Sequence, residues 1–348
     1  MQKVSAAPRI EWIDFAKGVV IILMVFLHIT RFEDLSKFIM LFHMPFFFVT
    51  AGFLLNLNRW GGAENFKPFA TKLFRRLLVP YFLAEILWYP IWFFVCHKAG
   101  FLNHLWEWSN FDTLKSFLAI FIGNGNAVGL ILGQLWFLPT LFVAEIIFIC
   151  LYNRFAKIGG EIFVIAVVAC SAIGLNVKVI TDFPFGMDIA LVSQIFLLTG
   201  VLVRRYNFVD RMNLKTCVVL ELILLCAFFF NARVDMNFRF YGNALLFYAG
   251  GVAGTLIVMK LSVLAVKVGG KICAVIEDCG RQSMMILVLH PIIANIFYEV
   301  IVRAVNFPPE EILTEPTIIF AVTILGTLVP LLVAKKFGRL PVLKNFCV

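Results

Sequence analysis

Apolar residues fall into about ten long runs along this chain, and short polar segments separate the runs. A helix needs roughly 20 mostly apolar residues to cross the hydrocarbon core of a bilayer, which is close to the length of each run. The pattern therefore predicts an all-α polytopic membrane protein, a bundle of about ten transmembrane helices. The predicted spans are 12–30, 37–56, 77–97, 130–152, 161–180, 187–205, 215–231, 241–260, 282–302 and 316–335.

The composition of the 348-residue chain also indicates a membrane protein. Hydrophobic residues make up 61% and charged residues only 15%, whereas a soluble globular protein is about 25% charged. No loop is long enough for a soluble domain, so residues 1–348 are expected to form one membrane domain. The first run keeps Lys17 and lacks a small-residue cleavage site, which favours a retained span over a signal peptide. The eight cysteines contain no CxxC pair, so we expect packing roles and no metal site.

Lysine and arginine are concentrated in alternate loops, for example at Arg75–Arg76, Arg204–Arg205 and Lys335–Lys336. By the positive-inside rule, both termini are predicted to be cytoplasmic. The membrane itself is expected to be the plasma or inner membrane. The net charge of +9 follows from this bias. Because the charges are dispersed over many short loops, nucleic-acid binding is not expected.

On the opposite side, the segment 98–129 contains interfacial tryptophans and the stretch GNGNAVG, which suit either a re-entrant piece at the mouth of a site or an ordinary external loop.

The first run carries a polar face. Lys17 and His28 are eleven residues apart, which is three helical turns, so their side chains share one face, and Asp14 lies within about 40° of it. The helical rise separates Lys17 from His28 by roughly 16 Å along the axis. Ionisable side chains in a membrane are costly and usually functional. Lys17 snorkelling to the inner headgroups beside Asp14, and His28 at the outer interface, remain alternatives.

Other spans also carry polar residues. His43, in LFHMPFFF, enters the second span on the outer side where the first span places His28, so the two imidazoles are expected to be neighbours. His290 directly precedes Pro291, whose missing N–H leaves a carbonyl unpaired. Trp136, in QLWFLPTLF, is expected to have a packing role. Three glutamates inside spans are either functional or paired with a basic neighbour, and a structural role is preferred for the first and last of them: Glu85, Glu145 and Glu221.

A basic block, Lys72, Arg75 and Arg76, lies at the cytoplasmic entry to the third span. Clustered Lys and Arg bind phosphates, and Arg does so with bidentate geometry. Simple positive-inside anchoring explains the same residues.

In order and spacing, these segments resemble acyltransferase family 3, integral membrane enzymes that O-acylate sugars and include the fucose 4-O-acetylase-like proteins. The resemblance extends along nearly the whole chain. It rests on Lys17 followed by His28, on HMPFFFVTAGF from His43, on RRLLVPY from Arg75, on LWFLPTLF and on SMMILVLH. The chain departs from the family at its Arg-x-x-Arg pair, which appears here as Lys72-x-x-Arg75.

The resemblance implies a membrane O-acyltransferase, most often an O-acetyltransferase, with acetyl-CoA or another acyl-CoA as donor. The implied acceptor is a hydroxyl of a cell-surface or lipid-linked carbohydrate in the cell envelope. No metal is implied. CoA phosphates would dock on the basic block, and Lys17, held by Asp14, would bind a phosphate or orient the acyl arm.

The resemblance also suggests catalytic roles. His28 would act as a general base or carry the acyl group, and an oxyanion donor would come from His43, His290 or Trp136. A polysaccharide or small-molecule secondary transporter is an alternative in which the same polar residues line a path, although duplicated halves are not evident. A non-catalytic membrane scaffold is a third.

Overall fold

The computed structural model describes residues 9–102, 110–124, 130–177, 183–305, 312–338 and 346. Across these ranges the regular structure is helical, and extended pairing is limited to one bridge between Asp235 and Phe240. The predicted all-α fold is confirmed. The α-helices are α1 (Glu11–Ile29), α2 (Glu33–Met40), α3 (His43–Leu54), α4 (Leu57–Trp60), α5 (Phe66–Leu73), α6 (Val79–Ile91), α7 (Thr113–Ile122), α8 (Phe137–Phe155), α9 (Gly160–Asn176), α10 (Met187–Val192), α11 (Gln194–Arg205), α12 (Phe208–Arg211), α13 (Leu214–Phe230), α14 (Ala244–Val268), α15 (Lys271–Arg281), α16 (Ser283–Val305) and α17 (Pro316–Phe337).

Helix covers most of each predicted span, but the helices differ in length. Within the described residues, seven helices are long and apolar enough to cross a membrane. The predicted span 187–205 is a bent pair, with 56° between Pro184–Val192 and Gln194–Arg205, and counting it as one span gives eight. The predicted spans 161–180 and 215–231 correspond to α9 and α13, which have 17 residues each. The count of ten spans therefore stays a prediction.

The described part of the segment 98–129 contains one short apolar helix, α7. The Asp112 side chain caps its start by accepting a hydrogen bond from the Lys115 backbone N–H at 2.8 Å. Gly123 ends it in the left-handed conformation, with φ of +62°. The tryptophans and most of the GNGNAVG stretch lie outside the described residues, so the choice between a site mouth and an external loop stays open.

Glycines allow helix backbones to touch at two crossings. A Cβ on Gly280 of α15 would lie 1.7 Å from the backbone oxygen of Asp14 on α1, and one on Gly18 would lie 1.9 Å from the backbone oxygen of Ile276. At the crossing of α3 with α11, a Cβ on Gly52 would lie 2.0 Å from a backbone oxygen. Small residues of this kind allow membrane helices to approach closely. The sequence therefore specifies how near α15 comes to α1.

Helix α1 lies in the middle of the bundle and packs against α3, α14, α15, α16 and α17. The start of α1 and the end of α17 lie at the same end of the bundle, because both meet α15. Arg281 Nε lies 3.5 Å from Asp14 Oδ2, and Asp278 forms an ion pair with Lys335. This arrangement agrees with an even number of spans. The cytoplasmic location of that end stays a prediction.

At the opposite end, a buried arginine connects three segments. Arg239 donates from Nε to Asp188 Oδ2 at 2.7 Å and from Nη2 to Asp188 Oδ1 at 3.1 Å. The same Nη2 donates to Asn124 Oδ1 at 3.1 Å. The fork geometry of the guanidinium suits such bidentate pairing. The segment between α13 and α14 is thereby attached to α10 and to the end of α7.

We expect Gly280→Leu to lower the free energy of unfolding by at least about 2 kcal/mol, because the new side chain would meet the α1 backbone. The measurement is thermal or detergent-induced unfolding of the purified protein. Gly160→Leu, where a Cβ meets no atom within 4 Å, is the matched control. Equal stability of the two variants would contradict the close packing of α1 and α15.

Candidate functional site

The N-terminal end of the polar face of α1 is a buried ion-pair cluster. Asp14 is 6% exposed, and three cations surround its carboxylate. Arg9 Nε lies 2.8 Å from Oδ2, Arg281 Nε lies 3.5 Å from Oδ2, and Lys17 Nζ lies 3.9 Å from Oδ1. Asp14 is therefore a shared counter-ion. Its association with Lys17 is as the sequence predicts, but it is not exclusive.

Sequence reasoning missed the contribution of Arg281. This residue ends α15 and also pairs with Glu277 at 3.0 Å and Asp278 at 3.2 Å, its neighbours on the same helix. The feature of the sequence that could have indicated this contact is Gly280, a small residue directly before the arginine, which allows α15 to approach α1. Nothing in the spacing along the chain connects positions 14 and 281.

His28 occupies the far end of the polar face, and its proton position is defined by one hydrogen bond. Nδ1 lies 2.8 Å from the backbone oxygen of Met24, one turn earlier. A carbonyl accepts only, so Nδ1 carries the hydrogen, and the neutral ring presents Nε2 as an acceptor. His28 is thus positioned to accept a proton through Nε2.

His290 lies beside His28, and its Nδ1 makes the same kind of hydrogen bond. The two ring centroids are 5.1 Å apart, with 53° between the ring planes. His290 Nδ1 lies 2.9 Å from the backbone oxygen of Ile286, so its Nε2 is also an acceptor when the ring is neutral. The side chain is fully buried, and Nε2 has no hydrogen-bond partner among the described residues. Two imidazoles therefore each offer an acceptor nitrogen.

The segment before α8 packs beside the His290 helix. Because Pro291 lacks an N–H, the carbonyl of Leu287 loses its helical partner. Gln134 Nε2 lies 3.5 Å from this oxygen, as a donor to it. Trp136, two residues further, is 6% exposed, in agreement with its expected packing role.

His43 begins α3 and completes the group of three imidazoles. It lies close enough to His28 for their charges to interact. The helix is held near α8 by Phe137, whose ring centroid lies 5.5 Å from that of Phe47 and 5.4 Å from that of Phe48. The neighbourhood of His43 and His28 expected from the sequence is therefore observed. We name His28, His43 and His290 the histidine cluster.

The basic block lies on a π-helical turn, Phe74–Leu78, which widens the helix at Arg75 and Arg76. Such turns are frequent at functional sites. Adjacent side chains on a helix point in different directions, and the two arginines have different surroundings. Lys72 and Arg75 line a surface depression of about 490 Å³ together with Lys67, Pro68 and Thr71, which we name the basic depression. Arg76 instead forms an ion pair with Glu145 of α8, a residue that is 3% exposed.

Glu145 is paired with a basic neighbour, which is one of the two alternatives predicted for the three glutamates inside spans. Glu85 and Glu221 have different surroundings. Glu85 is fully buried, and its carboxylate oxygens have no hydrogen-bond partner among the described side chains. Glu221 is exposed on α13. The structural role preferred for both stays a prediction.

Arg76 connects the basic depression with the polar face of α1. It lies close enough to Lys17 for their charges to interact, and Lys72 interacts with Glu145 in the same way. Positive charge therefore continues from the depression to Lys17. From there α1 leads roughly 16 Å to His28. The described residues include no group of three or more His, Cys, Asp or Glu side chains arranged to hold a metal ion.

We expect Arg76→Ala and Arg75→Ala to differ in stability. Removal of Arg76 leaves the buried Glu145 without its ion-pair partner, and we expect the free energy of unfolding to fall by about 2 kcal/mol, less than for a fully buried pair because Arg76 is partly exposed. Arg75→Ala should change it by less than about 0.5 kcal/mol. Arg76→Ala combined with Glu145→Gln should recover most of the loss. The measurement is detergent-induced unfolding, and equal effects of the two single substitutions would refute the assignment.

Comparison with known proteins shows to which family the chain belongs. The model of the Acyl_transf_3 family, described as an acyltransferase domain, matches residues 10–335. A search of curated proteins and a search of solved structures found no match. The matched region includes the histidine cluster, the basic depression, and Asp14 with Lys17 and Arg281. It covers essentially the whole chain, and the structure contains several helices able to cross a membrane. The chain therefore belongs to acyltransferase family 3 and is a multi-pass membrane acyltransferase.

Proposed function

We propose that this acyltransferase moves an acyl group, most often acetyl, from acyl-CoA to a hydroxyl of a cell-surface or lipid-linked carbohydrate in the plasma or inner membrane. The observation that carries the proposal is the orientation of His28. Its Nδ1 is bound to the Met24 carbonyl, so Nε2 is free to accept a proton. An acyl transfer to a hydroxyl requires such a base.

In the proposed reaction, His28 Nε2 takes the proton of the acceptor hydroxyl as its oxygen attacks the thioester carbonyl carbon. The tetrahedral intermediate then collapses with cleavage of the carbon–sulfur bond. The departing thiolate takes the proton from His28, which returns the ring to its neutral form. Ester and free CoA thiol are the products, and no further reactant is needed.

The donor is proposed to bind from the side of the basic depression. CoA carries several phosphate charges, and Lys67, Lys72 and Arg75 provide cations around an open space of about 490 Å³. Lys17 stands next along the path and is held by Asp14. It would bind the inner end of the donor and orient the acyl arm toward His28. Arg76 would contribute less directly, because Glu145 already occupies it.

The oxyanion of the intermediate needs a hydrogen-bond donor. Neutral His290 presents an acceptor at Nε2, and its Nδ1–H is already bound to the Ile286 carbonyl, so it is poorly suited to donate a hydrogen bond to the oxyanion. His43 and Trp136 remain, and we propose His43 because it interacts with His28.

The histidine cluster lies toward the end of the bundle opposite the Asp14 ion pairs. We therefore propose that the acyl group arrives from the cytosol and meets an outward-facing glycan.

We expect His28→Ala to lower acyl transfer at least about 100-fold, because general-base catalysis contributes that much or more. The measurement supplies [14C]acetyl-CoA to membranes that contain the variant and counts label in the glycan fraction. His97→Ala is the matched control, since His97 stacks on Phe93 with centroids 5.9 Å apart.

Full label transfer by His28→Ala would rule out the proposed base. Label that stays on the wild-type protein after the glycans are removed would indicate an acyl-histidine intermediate at the same nitrogen. Glycan movement across the membrane without label transfer would instead favour the transporter alternative.

We expect Arg75→Ala to raise the KM for acetyl-CoA about tenfold while kcat stays within about twofold, because a charge-assisted phosphate contact contributes binding energy away from the reacting atoms. Arg154→Ala is the control, an exposed arginine on the same predicted side. The same label assay at varied acetyl-CoA measures both constants. An unchanged KM for acetyl-CoA with a raised KM for the glycan would count against donor docking at this depression.

A further inference from the structure

His290 is a buried polar residue that the proposed reaction does not use. It is fully buried, and its Nε2 has no hydrogen-bond partner among the described residues. Native structures satisfy nearly all buried polar atoms, and an exception at a functional site points to an absent partner. The ring lies beside His28, with centroids 5.1 Å apart.

The missing partner is a hydrogen-bond donor. His290 Nδ1 is engaged by the Ile286 carbonyl at 2.9 Å, and His28 Nδ1 is engaged by the Met24 carbonyl at 2.8 Å. Both rings therefore present the same atom, an unprotonated Nε2, and the ring centroids are 5.1 Å apart. Two neighbouring acceptor nitrogens require two O–H donors, and a single hydroxyl has only one.

We propose that His290 Nε2 accepts a hydrogen bond from the hydroxyl adjacent to the one that is acylated, so that the acceptor substrate is a vicinal diol. The inference rests on the proposed function for the role of His28. Carbohydrate rings carry hydroxyls on adjacent carbons, and one such pair offers two donors within the reach of neighbouring imidazoles. His290 is then a specificity residue that touches the substrate. A site built to bind a hydroxyl discriminates strongly against an analogue that lacks it, because its polar atom is left unpaired.

The pair could alternatively hold one water that donates to both nitrogens. A diol would displace that water and reproduce both hydrogen bonds, whereas a mono-alcohol would reproduce only one. Preference for a diol over a mono-alcohol therefore separates a substrate site from a site that holds water alone.

The test uses purified protein in lipid nanodiscs with 15N-labelled histidine rings. The probes are cyclohexanol, trans-1,2-cyclohexanediol and 1,4-cyclohexanediol, and the readout is the 15N signal of the histidine Nε2 atoms during titration. We expect the 1,2-diol to shift two histidine signals and to bind about tenfold more tightly than cyclohexanol, because one additional hydrogen bond contributes that much affinity. The 1,4-diol should bind like cyclohexanol.

His290→Leu should remove the preference for the 1,2-diol without weakening cyclohexanol, and His290→Gln, which retains an acceptor oxygen, should restore part of it. Equal binding of the 1,2-diol and cyclohexanol, absence of binding by both, or a preference that survives in His290→Leu would each overturn the proposal. Binding is measured without acyl transfer. A preserved diol preference with no label transfer to glycans would therefore contradict the proposed function alone.

Discussion

The contact of α15 with α1 is the constraint on which the charged half of the site depends. Gly18 and Gly280 bring the two backbones so close that a Cβ on either would overlap a carbonyl oxygen. Only at this distance does Arg281 reach Asp14. Without that partner, the buried carboxylate would rely on Arg9, which lies two residues before the helix, and on a long contact with Lys17. The ion pairs in turn hold the polar face of α1 toward the bundle interior, because an ionisable residue facing lipid would be costly.

The two ends of this polar face differ in electrostatic character. The N-terminal end combines several cations with Asp14, and Arg76 extends the positive charge toward the basic depression. The C-terminal end of this face meets imidazoles that form no ion pair within the described residues, and the Nδ1 atoms of His28 and His290 are bound to backbone carbonyls. Phosphates suit the first environment, and neutral hydroxyls suit the second. An enzyme that joins a charged donor to a neutral acceptor needs both on one path, and α1 supplies them about three turns apart.

Sequence reasoning was most successful where local periodicity decides the outcome. It predicted the helices, the shared face of Lys17 and His28, and the approach of His43 to His28. It also predicted the carbonyl left free by Pro291, but not that Gln134 would donate to it. Tertiary pairs between distant positions, such as Arg281 with Asp14, leave no signal in one sequence.

Two further differences have physical causes. Successive side chains on a helix point about 100° apart, so the adjacent Arg75 and Arg76, which the sequence treats alike, have different partners. The bend of 56° between Pro184–Val192 and Gln194–Arg205 divides a run that composition alone describes as one continuous span. Helix length follows from such breaks and from caps, and hydropathy reports neither. The roles of His28, His43 and the basic block stay proposals.

The most direct test of the central claim is a cryo-electron microscopy structure in lipid nanodiscs with an acetyl-CoA analogue whose thioester sulfur is replaced by methylene. The phosphates should lie against Lys72 and Arg75. The acyl carbonyl carbon should lie within about 6 Å of His28 Nε2, which leaves room for one hydroxyl oxygen between them. An analogue bound with its phosphates elsewhere, or with its acyl end away from the histidine cluster, would contradict the account.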